Sequence, residues 1–414
     1  MKDIYKVAII GGGAGGLAAA IRCASRFGGK NVIILEKQNR TGRKLLATGN
    51  GRCNISNTDM DMVHYHGDKR IISSVIGRFS VKSIRKFCSE IGLLLREDEA
   101  GRIYPYSNQA ATVLDCMRTQ LSVLGTEEKC DFFTKKIKKT GFGYEISSPE
   151  NVIKAENIIM ASGSKASPAL GSDDSGLMLL RENGIKHTPL FPALSPVETK
   201  EKYKSLKGIR AKGIAEIVAD GYTVKKEKGE IQFSDKALSG ICVFQCSRIV
   251  NEYLYYGTVL GNKTRKIEIA IDLMPDYSAA GLERYLRSCK KRFSDKPAGM
   301  ILSGALHKRL SEAIVESQTI YKKNCIELEE KEIQQIACAV KCFTFTPVKS
   351  DQFSNAQVCA GGIGSDEINT DTMMLKKLPN IYVCGEILNV DGDCGGYNLH
   401  FAIGSGIIAS DNIK

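Results

Sequence analysis

Several things are scarce in this 414-residue sequence, and each scarcity closes off a class of protein. No stretch reaches the roughly 18 apolar residues that a membrane-spanning helix needs. The apolar start at 7–21 is broken by five glycines, which makes a poor signal peptide. There is no Cys-x-x-Cys pair, so the fourteen cysteines offer neither a redox couple nor a zinc ribbon. Cys242/Cys246 and Cys338/Cys342 stand four apart, as small buried hydrophobes on regular elements would. The five histidines show no metal-ligand spacing, and no metal is expected. Internal repeats, low-complexity linkers, zinc fingers and RRM signatures are all absent. A soluble protein of the reducing cytoplasm is the expectation.

What is present is a basic chain, with a net charge of +12 carried by lysine-rich stretches such as 135–141 and 200–212. A solvated basic face explains this most simply, and nucleic acid is an unfavoured but open partner. The length suits two domains, or one domain interrupted by another.

The clearest segment is 6–37. Val7–Ile10 reads as a buried strand, Leu17–Ser25 as a helix and Val32–Leu35 as a second strand. Between the first strand and the helix, Gly11, Gly13 and Gly16 form G-x-G-x-x-G. Glu36 then ends the second strand about 20 residues further on. In such a unit Gly11 permits the tight turn, Gly13 lets backbone approach a pyrophosphate, and Gly16 lets helix and strand pack closely. The helix N-terminus favours the phosphate charge, and Glu36 meets the ribose.

Beyond it, 71–98 reads as helix, 101–110 as a loop before another helix, and 129–149 as an antiparallel meander, followed at 157–168 by a buried strand running into a small-residue turn. Prolines 189, 192 and 196 mark a change of texture, followed by strand-like pieces at 215–224, 230–235 and 266–273. Residues 278–318 turn helical, 343–348 returns to strand, and 378–410 reads strand, loop, helix. "GGIGSDE" (361–367) follows no convincing strand, so no second nucleotide fingerprint is expected.

The stretch "GRKLLATGNGRCNISN" (42–57) has two glycine-rich turns, two arginines and little to bury. A long polar cofactor lying along it would explain that composition. Arg43 and Arg52 balance phosphate charge in this reading, while Gly49, Gly51 and Asn54 offer hydrogen bonds. A third piece lies near the end. Gly385 and Glu386 follow a strand, and "GGYNLHFAIGSG" opens a helix whose free N–H groups can face a flavin ring. A nicotinamide cofactor alone needs just the first piece, so three pieces point to FAD.

"GGGAGGLAAA", "GRKLLATGNGRCNISN", "NIIMASGS" and "CGEILNVDGDCGGYNLHFAIGSG" together resemble the BaiN/YhiN-type NAD(P)/FAD-dependent oxidoreductases, flavoproteins with two dinucleotide-binding-type domains. The resemblance runs the length of the chain. It implies an α/β protein whose Rossmann-like FAD-binding domain is formed by both chain ends, 1–190 and 346–414. A β-barrel-like insertion at 191–345 would carry a helical subdomain, β-rich at 191–275 and 325–345 and helical at 276–324. It implies FAD contacts at Gly11, Gly13, Ala14, Gly15, Gly16, Glu36, Lys37, Arg43, Asn50, Gly51, Arg52, Cys53, Asn54, Ile137 and Gly163. Gly385, Glu386, Asp391, Gly396, Tyr397, Asn398 and Leu399 would line the flavin end. One activity in the family is reduction of a ring C=C bond conjugated to a ketone in 3-oxo-4-ene bile acid intermediates. Other members are described as FAD-binding oxidoreductases or amine oxidases.

Reduction of an enone needs hydride at one carbon and a proton at the other. Tyr397 and His400 are the candidate acids, with Cys394 a further one. Each has a plain alternative as a packing residue. His400 stands where the family pattern has glutamine. NAD(P)H is the expected reductant, with another donor left open, and a small molecule is the expected substrate. The rivals are an oxidase using oxygen, an RNA-associated flavoprotein and a flavin-free NAD dehydrogenase. The oligomeric state is not legible.

Overall fold

A computed structural model describes residues 4–259, 261–320, 322–349 and 353–414. The chain divides into two compact units, 1–191 with 353–414, and 192–352.

The first unit is built on a mostly parallel sheet. Tyr5–Ile10 pairs in parallel with Val32–Leu35 on one side and with Val152–Met160 on the other. Ile381–Val383 extends the sheet beyond Val152–Met160, and Glu127–Lys129 extends it beyond Val32–Leu35. The central strands are buried on both faces, so they read as unbroken apolar runs rather than alternating ones. A hairpin, Lys136–Thr140 with Gly143–Ser147, continues antiparallel from the first half of Val152–Met160.

The helix Ala14–Phe27 packs against the C-terminal helix Tyr397–Asp411. Small residues allow the close approach: a Cβ on Gly15 would lie 2.8 Å from the Ala402 carbonyl oxygen, and one on Gly406 2.4 Å from that of Gly15. Both chain ends therefore share one core.

In the second unit Arg210–Ala219, Tyr222–Phe233 and Ile267–Asp272 form an antiparallel sheet, extended by Phe343–Phe345 at one end and by Ala237–Ser239 with Val197–Glu198 at the other. Its two edges meet. Thr199 bridges Pro347, Lys200 N–H donates to the Thr346 carbonyl at 2.9 Å, and Val348 N–H donates to the Glu198 carbonyl at 2.9 Å, closing a barrel. Helices Ala279–Arg292, Lys308–Ser317 and Glu330–Lys341 accompany it.

Some local expectations need correction. The stretch read as β-rich contains a sixteen-residue helix, Ile241–Tyr256, which buries Cys242, Val243, Cys246, Ile249 and Val250. Their spacing of three and four is helical, and the strand signals on either side masked it. The helix Glu330–Lys341 likewise falls in a span read as strand. Arg102–Pro105 is a strand rather than loop, and Val358–Ala360 is a strand directly before Gly361. Among the paired cysteines, Cys242 and Cys246 are buried, whereas Cys338 and Cys342 are exposed. All fourteen are free thiols.

Candidate functional site

Parallel strands all end on the same edge of a sheet, and ligands in such folds bind there. Here the strands Ile381–Val383, Val152–Met160, Tyr5–Ile10 and Val32–Leu35 lie side by side in that order. Their ends deliver Gly385 and Glu386, then Ala161 to Gly163, then Gly11 to Gly13, then Glu36 to Gln38. The last three groups line one cleft, with Phe132 to Thr134, Leu170 to Ser172, Arg40 and Gly42 to Lys44 among its other walls.

The glycines of the turn do different jobs. Gly11 has φ +105°, and a Cβ there would sit 2.4 Å from the Ala161 carbonyl oxygen. On Gly16 it would sit 2.0 Å from the carbonyl oxygen of Gly11. Those two are required by the chain itself. Gly13 has φ −79° and open space where a Cβ would go, and it begins the helix without any side-chain cap. The chain itself makes no demand for glycine there, but a phosphate approaching the free N–H groups of the first turn would. Ala14 and Gly15 follow on that turn.

Glu36 stands at the cleft with its carboxylate held in place, Oε2 accepting from Gly12 N–H at 2.7 Å and Oε1 from Gln38 N–H at 2.8 Å. Lys37 pairs with Asp173 at 2.5 Å. Arg43 donates to the Gln38 side chain and to the Ala169 carbonyl. Gly163 has φ +71° and open space around it. The Ser162 hydroxyl and the Thr134 hydroxyl are buried without a hydrogen-bond partner and belong to residues of the cleft wall. Orphaned polar atoms beside an uncapped helix start fit a polar, phosphate-bearing ligand.

The second sequence piece joins the first and the third. Gly42 N–H donates to the Gly12 carbonyl at 2.8 Å. Lys44 pairs with Glu386 at 2.7 Å, and the other Glu386 oxygen accepts from Cys359 N–H at 3.1 Å. Gly49, Asn50 and Gly51 all take positive φ, forming an exposed reversal. Arg52 lies exposed over the Tyr104 ring at 5.3 Å and, with Asn50 and Gly51, is not among the cleft walls. Cys53 is fully buried, and burial pushes its thiol up to about 12. Asn54 Oδ1 is buried and unpartnered, and would lie 2.7 Å from a Cβ on Gly396.

The third piece is braced inward. Gly385 N–H donates to Ser405 Oγ at 2.9 Å, and Asp391 is buried on the strand Val390–Gly392. The Asn398 amide closes its own loop, accepting from Gly392 N–H at 2.8 Å and donating to the Gly392 carbonyl at 2.7 Å. Leu399 packs half-buried on the core. Gly396 has φ +101°, and a Cβ there would lie 2.4 Å from the Ser56 carbonyl oxygen. Tyr397 opens the helix with its ring stacked on His64, centroids 4.5 Å apart at 18°. Burial, then Asp59 and Asp393, push its phenol up to about 12.

His400 is a correction. Its ring is fully buried, Nδ1 sits 2.8 Å from the Ser56 hydroxyl and Nε2 2.8 Å from the Phe79 carbonyl. Burial lowers its pKa against the opposing pull of that carbonyl. A carbonyl accepts only, so Nε2 carries the proton and Nδ1 accepts from Ser56. With both nitrogens engaged and no exposed edge, His400 joins helix to loop and is no proton donor to a substrate. Ile137 is buried in its hairpin and does not line the cleft, whose wall there is Phe132 to Thr134. Those residues, with Gln38 and Arg40, carried no motif, and Ser162 lay in a motif without being singled out. Their place became visible only once the strand ends were aligned.

The model of the HI0933-like protein Rossmann domain matches residues 5–412. The chain belongs to this family. It is 32% identical over 411 residues to the 3-dehydro-bile acid delta(4,6)-reductase of Clostridium scindens, covering 98% of each chain. It is 24% identical over 409 residues to the ribosomal RNA dihydrouridine synthase of Haemophilus influenzae, covering 97% of this chain and 96% of that one. The Escherichia coli protein of the same description is 23% identical over 405 residues. Membership and the Rossmann-like fold make the protein an FAD-dependent oxidoreductase. Among the described residues no helix is long and apolar enough to cross a membrane, and no cluster of His, Cys, Asp or Glu is placed to hold a metal.

Proposed function

We propose that the protein reduces a carbon–carbon double bond conjugated to a carbonyl, using NAD(P)H as electron donor, with an enone of the 3-oxo-4-ene steroid type as the leading substrate class. The likeness to the Clostridium scindens reductase, extending over almost the whole of both chains, carries this reading.

In this reading the uncapped start of the helix Ala14–Phe27 receives the pyrophosphate, where aligned peptide dipoles favour negative charge. Glu36, already oriented by two backbone N–H groups, accepts from ribose hydroxyls. The paired Lys44 and Glu386 lie beside the connecting chain of the cofactor, and the first turn of Tyr397–Asp411 offers N–H groups to the ring. FAD, when bound, supplies hydride to one carbon of the double bond. The chain must then polarise the carbonyl and give a proton to the other carbon. Tyr397 is the residue assigned to that proton. Its phenol stays protonated at neutral pH, and its hydroxyl makes no hydrogen bond among the described residues.

The two ribosomal RNA dihydrouridine synthases favour a second reading within the same chemistry. Saturating the uracil 5,6 bond also reduces a C=C conjugated to a carbonyl, and a net charge of +12 suits an anionic polymer. One experiment separates these readings. The protein is reduced anaerobically with NADH or NADPH, then offered steroid enones, cyclohexenone or a uridine-containing ribosomal RNA fragment. Reoxidation by an enone supports the first reading, and reoxidation by the RNA alone supports the second. Reoxidation by oxygen alone, with peroxide release, would replace both with an oxidase.

A further inference from the structure

Giving up a proton leaves Tyr397 negative, and Asp59 and Asp393 already act on it electrostatically, with Arg102 opposing them. A phenolate beside two carboxylates needs a compensating positive charge. The structure has a group in place for that.

His64 ends the turn Met62–His64 and leads into the strand Tyr65–Gly67, which pairs antiparallel with Val390–Gly392. Asp393 N–H donates to the His64 carbonyl at 2.9 Å, so this ribbon fixes His64 against the glycine turn that carries Tyr397. The two rings lie nearly parallel, 4.5 Å apart. Each nitrogen of His64 has a carboxylate of its own: Nε2 is 3.0 Å from Asp59, and Nδ1 is 3.5 Å from Asp393. A neutral imidazole has one N–H to donate. Only the imidazolium satisfies both sides.

The second oxygen of Asp393 faces His66 Nε2 at 2.9 Å. Asp59 is 67% exposed, His66 27%, His64 25% and Asp393 12%, so the row of groups leads from water inward to the buried Tyr397 ring. Tyr65 stands edge-on to Tyr397 at 5.7 Å, and Arg102 acts on the phenol against the two carboxylates.

We propose that His64 is a positioning residue for proton delivery. It holds the Tyr397 ring by stacking, and its imidazolium, flanked by Asp59 and the Asp393–His66 pair, offsets the charge left when the phenol gives up its proton. This rests on the reduction proposed above. Reduced flavin, when bound, would supply hydride to the β-carbon, and the C=C electron pair would move onto the carbonyl oxygen as an enolate. The enolate then collapses to the ketone as the α C–H bond forms and the phenol O–H bond breaks. Water returns a proton to the phenolate. His64 contributes charge and alignment, acting through Tyr397.

The test uses full-length, flavin-loaded protein reduced anaerobically with dithionite. It is mixed with androsta-4,6-diene-3,17-dione, 2-cyclohexen-1-one or a uridine-containing ribosomal RNA fragment. Rates are read relative to reoxidation by oxygen, with flavin absorbance recorded beside them. His64→Phe keeps a stacking ring without charge, and should react roughly a hundredfold more slowly with the acceptor while flavin absorbance and reoxidation by oxygen stay as in wild type. Asp59→Asn, a change at an exposed position, should slow the same reaction by less. Wild-type rates in both variants would overturn the role of His64. Should wild type be reoxidised by oxygen but by none of the three acceptors, the reduction itself falls and takes this role with it.

Discussion

The two glycine-rich turns that open helices in the first unit look alike in sequence, and neither helix start has a side-chain cap, but their surroundings differ. At Gly11–Gly16 the glycine that begins the helix, Gly13, faces open space at the cleft. At Gly395–His400 the polar side chains turn inward. Asn398 closes its own loop, His400 joins Ser56 to Phe79, and Gly396 is pressed against Ser56. A glycine-rich turn before a helix therefore marks close approach. Whether the approaching group is a ligand or the protein's own backbone depends on what lies on the far side.

That contrast can be broken most sharply within the first turn. Gly11→Ala should cost about 3–4 kcal/mol or more, because a left-handed backbone and a carbonyl contact both oppose the methyl group. Gly13→Ala should leave the stability of the flavin-free protein within about 0.5 kcal/mol of wild type, yet reduce flavin retention. Urea unfolding with flavin absorbance reads both. Equal losses of stability in the two variants would erase the distinction.

At the second turn, His400→Ala should cost about 3 kcal/mol, since it strands the Ser56 hydroxyl and the Phe79 carbonyl in a buried site. The pH dependence has a definite sign. His400 is harder to protonate folded than unfolded, so the unfolded chain binds the extra proton first. Its contribution is complete above the unfolded value of about 6.5 and is lost as the pH falls through the lower folded value. The stability difference between wild type and His400→Gln, followed by urea unfolding, should therefore narrow on acidification below that point. A difference that stays constant with pH would count against a buried neutral ring.

Smaller effects follow. Asn398→Ala should cost about 1–2 kcal/mol, because it opens the 392–398 loop and leaves two backbone groups to find other partners. Lys44→Ala breaks a partly exposed ion pair with Glu386 and should cost less than about 1 kcal/mol of stability. A larger loss than Asn398→Ala would mean that the contact between the second and third pieces holds the unit together.

Much of the frame could be read from residues alone. Unbroken apolar runs at 7–10, 32–35 and 158–160 specify strands buried on both faces, and glycine and glutamate at fixed offsets announce what the strand ends carry. Patterns of this kind are local, because periodicity and backbone conformation act over a few residues. The helix Ile241–Tyr256 was missed because its stripe of cysteine and β-branched residues fits a strand-rich neighbourhood equally well.

Contacts between distant segments were decided by the tertiary structure. His64 and Tyr397 are each ordinary in sequence, and they stack because the Tyr65–Gly67 strand pairs with Val390–Gly392. His400 looked reactive until the fold supplied partners for both its nitrogens. The sequence determined which backbone shapes and which chemical groups were available. Burial and partnership, which settle whether a group is free to react, arise only when segments more than three hundred residues apart are packed together.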